Sequence, residues 1–183
     1  MIFGVLKDIK EGENRVIVTP LEAATIAADG HKVLAQRDCG AGSGFTNEQY
    51  MKAGAEIVDT MEEMYERCDM LVKVKEIEES EYNLLRENQI IMTCIHPAGH
   101  PEELQALLDK KVIAFTAEDC HRYGSPNCEA AGKQGALFGL ESLLTINGGK
   151  GKFVSGLAGA PGINAVIMGC GVVGKSALQV LYS

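Results

Sequence analysis

The chain has 183 residues, 46% of them hydrophobic and 23% charged, enough apolar material for a sizeable core and too much for disorder. Its formal net charge of −8 argues against nucleic acid or an anionic membrane surface as partner, since either would be met by clustered Lys and Arg. A small-molecule ligand is the expectation that remains.

No apolar run approaches the ~20 residues of a membrane-spanning helix. The first ten residues lack the basic flank, apolar stretch and cleavage site of a secretion signal. A cytoplasmic protein is therefore expected. The six cysteines (Cys39, Cys68, Cys94, Cys120, Cys128, Cys170) show no CxxC pair or zinc-ligand spacing, so no metal is expected and the thiols read as reduced and mostly buried.

In chain order, short β-rich runs alternate with segments that carry helical starts and stops, the pattern of βα units around a mainly parallel sheet. Strands are expected at residues 2–6, 16–19, 32–35, 56–58, 70–75, 90–95 and 112–116. The first helix is capped by Thr19, opened by Pro20 and closed by Gly30, with Leu21, Ala24 and Ala28 on one face. Thr60 and Glu63 have capping-box spacing, and Pro101 opens a turn made acidic by Glu102 and Glu103. A longer helix is expected over residues 128–144, with Asn127 as cap and Asn147-Gly148-Gly149 as its end. Gly132, Gly135 and Gly139 within it each weaken helicity by roughly 1 kcal/mol relative to Ala, so close approach of another element is expected there. These signals divide the chain into residues 1–126, a connecting helix at 127–147, and residues 148–183.

After a Gly-rich loop over residues 148–162, Asn164-Ala165-Val166-Ile167-Met168 reads as a buried strand. Gly169-Cys170-Gly171-Val172-Val173-Gly174 follows at once and leads into a helical segment. This is the order of a dinucleotide-binding turn: Gly169 for the tight turn, Gly171 for backbone approach to a pyrophosphate, and Gly174 for helix-to-strand packing. A structural Gly-rich turn is the alternative. The acidic residue that would grip the ribose belongs roughly 20 residues later.

In a parallel α/β sheet, ligands bind beyond the carboxyl ends of the strands. Lys75 closes one expected strand and His96 another. Such a pair can orient an oxo acid and move a proton, because lysine offers a point charge and histidine titrates near neutrality. Arg15 can clamp a carboxylate through two parallel hydrogen bonds. The alternatives are a solvated strand-end lysine, a turn histidine before Pro97, and a surface arginine.

Taken together, Gly4-Val5-Leu6-Lys7-Asp8-Ile9-Lys10, Glu13-Asn14-Arg15-Val16 through Thr19-Pro20, Ala53-Gly54-Ala55, Leu71-Val72-Lys73-Val74-Lys75-Glu76 and Ile95-His96 resemble the alanine dehydrogenase and transhydrogenase N-terminal family. The resemblance runs along essentially the whole chain. It implies a Rossmann-like substrate domain over residues 1–126 and, from 148, the first βα unit of a Rossmann NAD-binding domain. It also implies oxidative deamination of L-alanine to pyruvate and ammonia with NAD, in a full-length protein that forms a homo-oligomer. By similarity, Arg15 and Lys75 hold the substrate carboxylate and carbonyl, and His96 is the general acid/base. Cys128 falls where family members resemble one another in a cofactor-contacting serine before a glutamate. Retention of Lys75 and His96 points away from the transhydrogenase subunits, which resemble one another in lacking that pair. A saccharopine- or opine-type amino-acid dehydrogenase is the alternative. With one Rossmann strand present of about six, the chain is expected to be inactive alone.

Overall fold

Parallel strands are covered by helices on both faces and so read as near-continuous apolar runs. Six of the expected runs pair in this way in a computed structural model that describes residues 1–117 and 125–182. The elements are β1 (Ile2–Val5), α1 (Pro20–Ala28), β2 (Lys32–Gln36), α2 (Asn47–Lys52), β3 (Glu56–Val58), α3 (Met61–Arg67), β4 (Met70–Val72), β5 (Ile90–Thr93), α4 (Pro101–Asp109), β6 (Ile113–Thr116), α5 (Pro126–Glu141) and α6 (Val172–Tyr182). The sheet is wholly parallel, in the order β3-β2-β1-β4-β5-β6. This is the doubly wound order, whose direction of winding reverses between β1 and β4 and opens a crevice at their carboxyl ends.

Alternation along the strands splits the core in two. Leu34, Leu71 and Ile91 face one cluster with Met64, Tyr65 and Cys68. Val5, Val33, Ala35 and Val72 face the other with Ala23 and Tyr50. The chain splits into two compact units, Met1–Cys120 and His121–Ser183. The sheet belongs to the first, and α5 and α6 to the second.

Several expectations are corrected. Residues 16–19 form no strand, because both edges of β1 are already taken by β2 and β4. Val16, Ile17 and Val18 pack on the second cluster instead. The ladders of β4 and β5 close at Val72 and Thr93, with looser bonds continuing from Lys73 N–H to the Met92 carbonyl (3.2 Å) and from Cys94 N–H to the Val74 carbonyl (3.4 Å). Helix α1 buries Ala23, with Ile26 and Ala27 beside it, and leaves Leu21, Ala24 and Ala28 exposed. Its start is strengthened by Glu22, whose carboxylate accepts from the Thr19 backbone N–H at 2.9 Å. Thr60 accepts from the Glu63 N–H at 3.2 Å, but the Glu63 carboxylate pairs with Arg67 and completes no box.

Helix α5 starts two residues earlier than expected, because Pro126 suits a first turn and Ser125 Oγ accepts from Cys128 N–H at 3.3 Å. It ends at Glu141. A Cβ on Gly132 would overlap the Val173 carbonyl oxygen of α6, whereas Gly135 and Gly139 have nothing within 4 Å. Residues 164–168 are not a strand, and Val166 and Met168 are exposed. A parallel strand exists only through neighbours, and among the described residues none pairs with this segment. Cys39, Cys68 and Cys94 are buried thiols, Cys128 is half-buried, and Cys170 is exposed because it sits in the turn between two glycines. Cys120 lies outside the described residues.

The feature that composition hides is a buried ion pair. Lys73, next after β4, donates from Nζ to Glu81 Oε2 at 2.7 Å, and both side chains are inaccessible to solvent. Tyr65 Oη donates to Glu81 Oε1 at 2.9 Å, and Glu78 N–H donates to Oε2 at 2.8 Å. Burial, with the Glu81 charge beside it, pushes the Tyr65 hydroxyl well above its usual range. Removing one partner strands the other in a medium that cannot solvate it. Lys73→Met is therefore expected to cost about 3–5 kcal/mol in urea denaturation, and Tyr65→Phe about 1 kcal/mol.

Candidate active site

The crevice between β1 and β4 is built by a short aspartate. Leu6 N–H continues the β1 ladder to the Val72 carbonyl at 3.0 Å. Two residues on, Asp8 Oδ2 accepts from the Lys75 backbone N–H at 2.8 Å and Oδ1 from the Lys10 N–H at 3.1 Å. From the other side, Thr93 Oγ1 donates to the Lys75 carbonyl. The ends of β1, β4 and β5 are thus tied together at Lys75, and the half-buried Lys75 side chain is carried at the switch point.

Arg15 comes to the same place from the loop after β1. It donates from Nε to Glu13 Oε1 (2.8 Å) and from Nη2 to Oε2 (2.5 Å). The Arg15 hydrogen bond, with smaller help from the charges of Arg15 and Lys75, holds the Glu13 carboxyl below its usual range against the opposing effect of burial. Arg15, Glu13 and Asp8 line a cavity of about 40 Å³ with Lys7 and Cys39. Lys75 is tied through its backbone N–H to Asp8 of this lining, and its charge is felt at Glu13.

His96 follows β5 and is held by a different carboxylate. Its Nδ1 lies 2.7 Å from Glu76 Oε1, whose partner oxygen Oε2 accepts from Lys10 Nζ at 2.7 Å. His100 Nε2 lies 3.8 Å from Oε1. A carboxylate on one ring nitrogen fixes the orientation of an imidazole and directs the other nitrogen away. The next backbone N–H, that of Ile77, donates to the buried Glu103 Oε1 at 2.7 Å, which fastens this turn to α4. Burial pushes the Glu103 carboxyl up, against the Ile77 bond.

Sequence reasoning singled out Lys75, His96 and Arg15 but missed Asp8, Glu13 and Glu76, the carboxylates that seat them. For Glu76 a signal was present, an acid directly after the strand-end lysine. For Glu13 and Asp8, loop acids with no neighbouring strand end, no such signal was present.

In the second unit, Gly169 has φ +107°, and a Cβ on Gly174 would overlap the Gly169 carbonyl oxygen. Both glycines are therefore required by the backbone, while Gly171 has open space. A cleft of about 340 Å³ is lined there by Gly169, Cys170, Gly174 and Lys175. Cys128 donates its backbone N–H to the Ser125 cap at the start of α5.

Glu76 gives a measurable consequence. Burial raises its carboxyl, but the Lys10 hydrogen bond, its own backbone N–H, the Lys10 charge and the His96 bond outweigh this and hold it at about 2, below the ordinary 4.5. A depressed carboxyl stabilises the fold above the ordinary value, and that contribution is lost as pH falls from 4.5 toward 2. Glu76→Gln is expected to remove roughly 2 kcal/mol of stability at neutral pH and to flatten the acid limb of a denaturation midpoint against pH profile.

Comparison with known proteins places this geometry. Residues 4–130 match the model of the family described as alanine dehydrogenase/PNT, N-terminal domain. Alanine dehydrogenases of Methanococcus maripaludis and Bacillus subtilis are each 38% identical over 98% of this chain. The chain spans about half the length of these relatives, 50% and 49%. A solved L-alanine dehydrogenase superposes over 100% of the chain and 52% of its own, with a TM-score of 0.88 and 32% identity. A transhydrogenase from Sinorhizobium meliloti shares the fold, with a TM-score of 0.73 at 20% identity over 100% of this chain and 56% of its own. The match over residues 4–130 and the agreement with these relatives show that the chain belongs to the alanine dehydrogenase/PNT N-terminal domain family.

Proposed function

We propose that the chain is the substrate-binding part of an NAD-dependent alanine dehydrogenase that interconverts L-alanine with pyruvate and ammonia. The observation that carries this reading is the convergence of Arg15 and Lys75 at the β1/β4 switch point, with the Glu76-held His96 at the end of the adjoining strand.

In this reading Arg15 pairs with the substrate carboxylate. Lys75 polarises the carbonyl oxygen of the oxo acid, and its placement is fixed through its own backbone by Asp8 and Thr93. His96 donates a proton to the carbinolamine hydroxyl as it departs as water and, in the reverse direction, takes a proton from the water that adds to the imine. Its Nδ1 contact with the Glu76 carboxylate holds the ring in orientation and stabilises the imidazolium while it holds the proton. The low carboxyl of Glu76 suits that task, since it remains an anion through the working pH range.

NAD, when bound, supplies the hydride acceptor. Gly169 and Gly174, which the backbone requires as glycines, fit a phosphate-cradling turn at the start of α6, where N–H groups and the helix dipole favour negative charge. Gly171 and Cys128 are the further cofactor contacts in this reading. No described helix is long and apolar enough to cross a membrane, and the proposed setting is the cytoplasm. Self-association is also proposed, with support from exposed Ile113 and Phe115 on the edge strand β6.

His96→Ala, in the protein that carries this chain, is expected to lower turnover of NADH with pyruvate and ammonium by about 10²–10⁴-fold while NADH titration curves stay unchanged. Near-normal turnover would remove His96 from the mechanism. Faster turnover with a free amino acid than with ammonium as co-substrate would redirect the reading to an opine-type enzyme.

A further inference from the structure

Arg15 is 47% exposed in its side chain, whereas Glu13, which it grips, is 7% exposed. The carboxylate is thus shielded from water while the guanidinium is partly open to it. Glu13 Oε1 accepts from the Arg15 backbone N–H at 2.9 Å as well as from Nε at 2.8 Å, and Oε2 accepts from Nη2 at 2.5 Å. Three bonds from one residue to one shielded carboxylate fix both the main chain and the plane of the guanidinium.

Two roles are available to such a carboxylate. It can compete for the arginine, so that an incoming anion must displace it, or it can hold the arginine so that the anion meets a preset cation. Displacement would sacrifice both guanidinium bonds and leave a carboxylate shielded from water, which is costly. Holding costs nothing at the moment of binding and spares the ligand the ordering of a long side chain. The burial asymmetry selects the second role. The nearby charge of Lys75, which is felt at Glu13, offsets the negative charge that Glu13 brings to the site.

We infer that Glu13 is a positioning residue that aims the Arg15 guanidinium at a small carboxylate ligand. This rests on the proposed role of Arg15 as the substrate clamp. A guanidinium carries five N–H donors in a rigid fork, and Glu13 engages Nε and Nη2, so one edge is committed to orientation. Glu13 acts only through Arg15, and its contribution vanishes when the fork is gone.

The test is a double-mutant cycle on the full chain, with pyruvate as the titrant and heat-induced unfolding followed on each variant. Glu13→Gln keeps the shape but loses one acceptor and the charge. It is expected to weaken pyruvate binding about tenfold, the scale of one charge-assisted hydrogen bond. Arg15→Lys is expected to weaken binding at least as much. The double variant is expected to bind no worse than Arg15→Lys alone, a non-additivity that a merely structural role would not give. Tighter binding by Glu13→Gln would show a competitor and overturn the inference, as would losses that add. If Glu13→Gln unfolds, Glu13→Asp, which keeps the charge but falls short of the fork, must show the same non-additive loss, and an additive one overturns the inference. An Arg15→Lys variant with unaltered pyruvate binding, or an unaltered chain that binds no pyruvate, would overturn the proposed function and this inference with it.

Discussion

Asp8 is a single carboxylate bonded to two backbone N–H groups, those of Lys10 and Lys75, and the remainder of the site follows from it. Winding a parallel sheet outward in both directions from β1 leaves a gap between the chains that depart from β1 and β4. The gap alone is a place, with no chemistry. Asp8 turns it into a site by fixing how far apart those departing chains run. Lys75 then stands over the crevice, Glu76 turns toward Lys10 and His96, and the loop that carries Glu13 and Arg15 returns beside it.

The electrostatics divide into two layers. Beneath the sheet ends, Lys73 and Glu81 are fully buried and satisfied by Tyr65 and the Glu78 backbone. Such a pair contributes little net stability compared with apolar packing, but loss of one partner leaves an uncompensated buried charge. It anchors the chain after β4 to the 3₁₀ segment Glu79–Leu84. Above it, Glu13 and Glu76 are each shielded while their basic partners reach solvent. Acids underneath and bases on top make a surface that attracts an anion despite the net charge of −8.

The sheet was largely legible in the sequence. Runs such as Ile90-Ile91-Met92 and Met70-Leu71-Val72 are apolar on both faces, as double coverage demands. The order of the strands was not, because it depends on which way each crossover turns. Lys75 and His96 stood out as polar groups directly after apolar strands. Glu13 and Glu76 did not, since a buried acid and a surface acid look alike until the partner is known, and Lys10 is 66 positions from Glu76. The buried face of α1 was not legible because Ala23, Ala24, Ala27 and Ala28 offer no contrast around the helix. Residues 164–168 show the opposite limit, a segment with strand-like composition whose state is set by neighbours rather than by its own residues.

The buried Lys73–Glu81 pair also constrains how this family member can change over time. Either residue alone is intolerant of replacement, because each intermediate holds an unmatched charge in the core. The two positions are therefore expected to drift together or stay fixed, and the chain between them, residues 74–80, inherits that rigidity. Lys75 and Glu76 lie inside that span. They sit on a stretch of backbone anchored by an ion pair that solvent does not reach, so freedom to vary is left to residues outside it, such as the loop that carries Arg15.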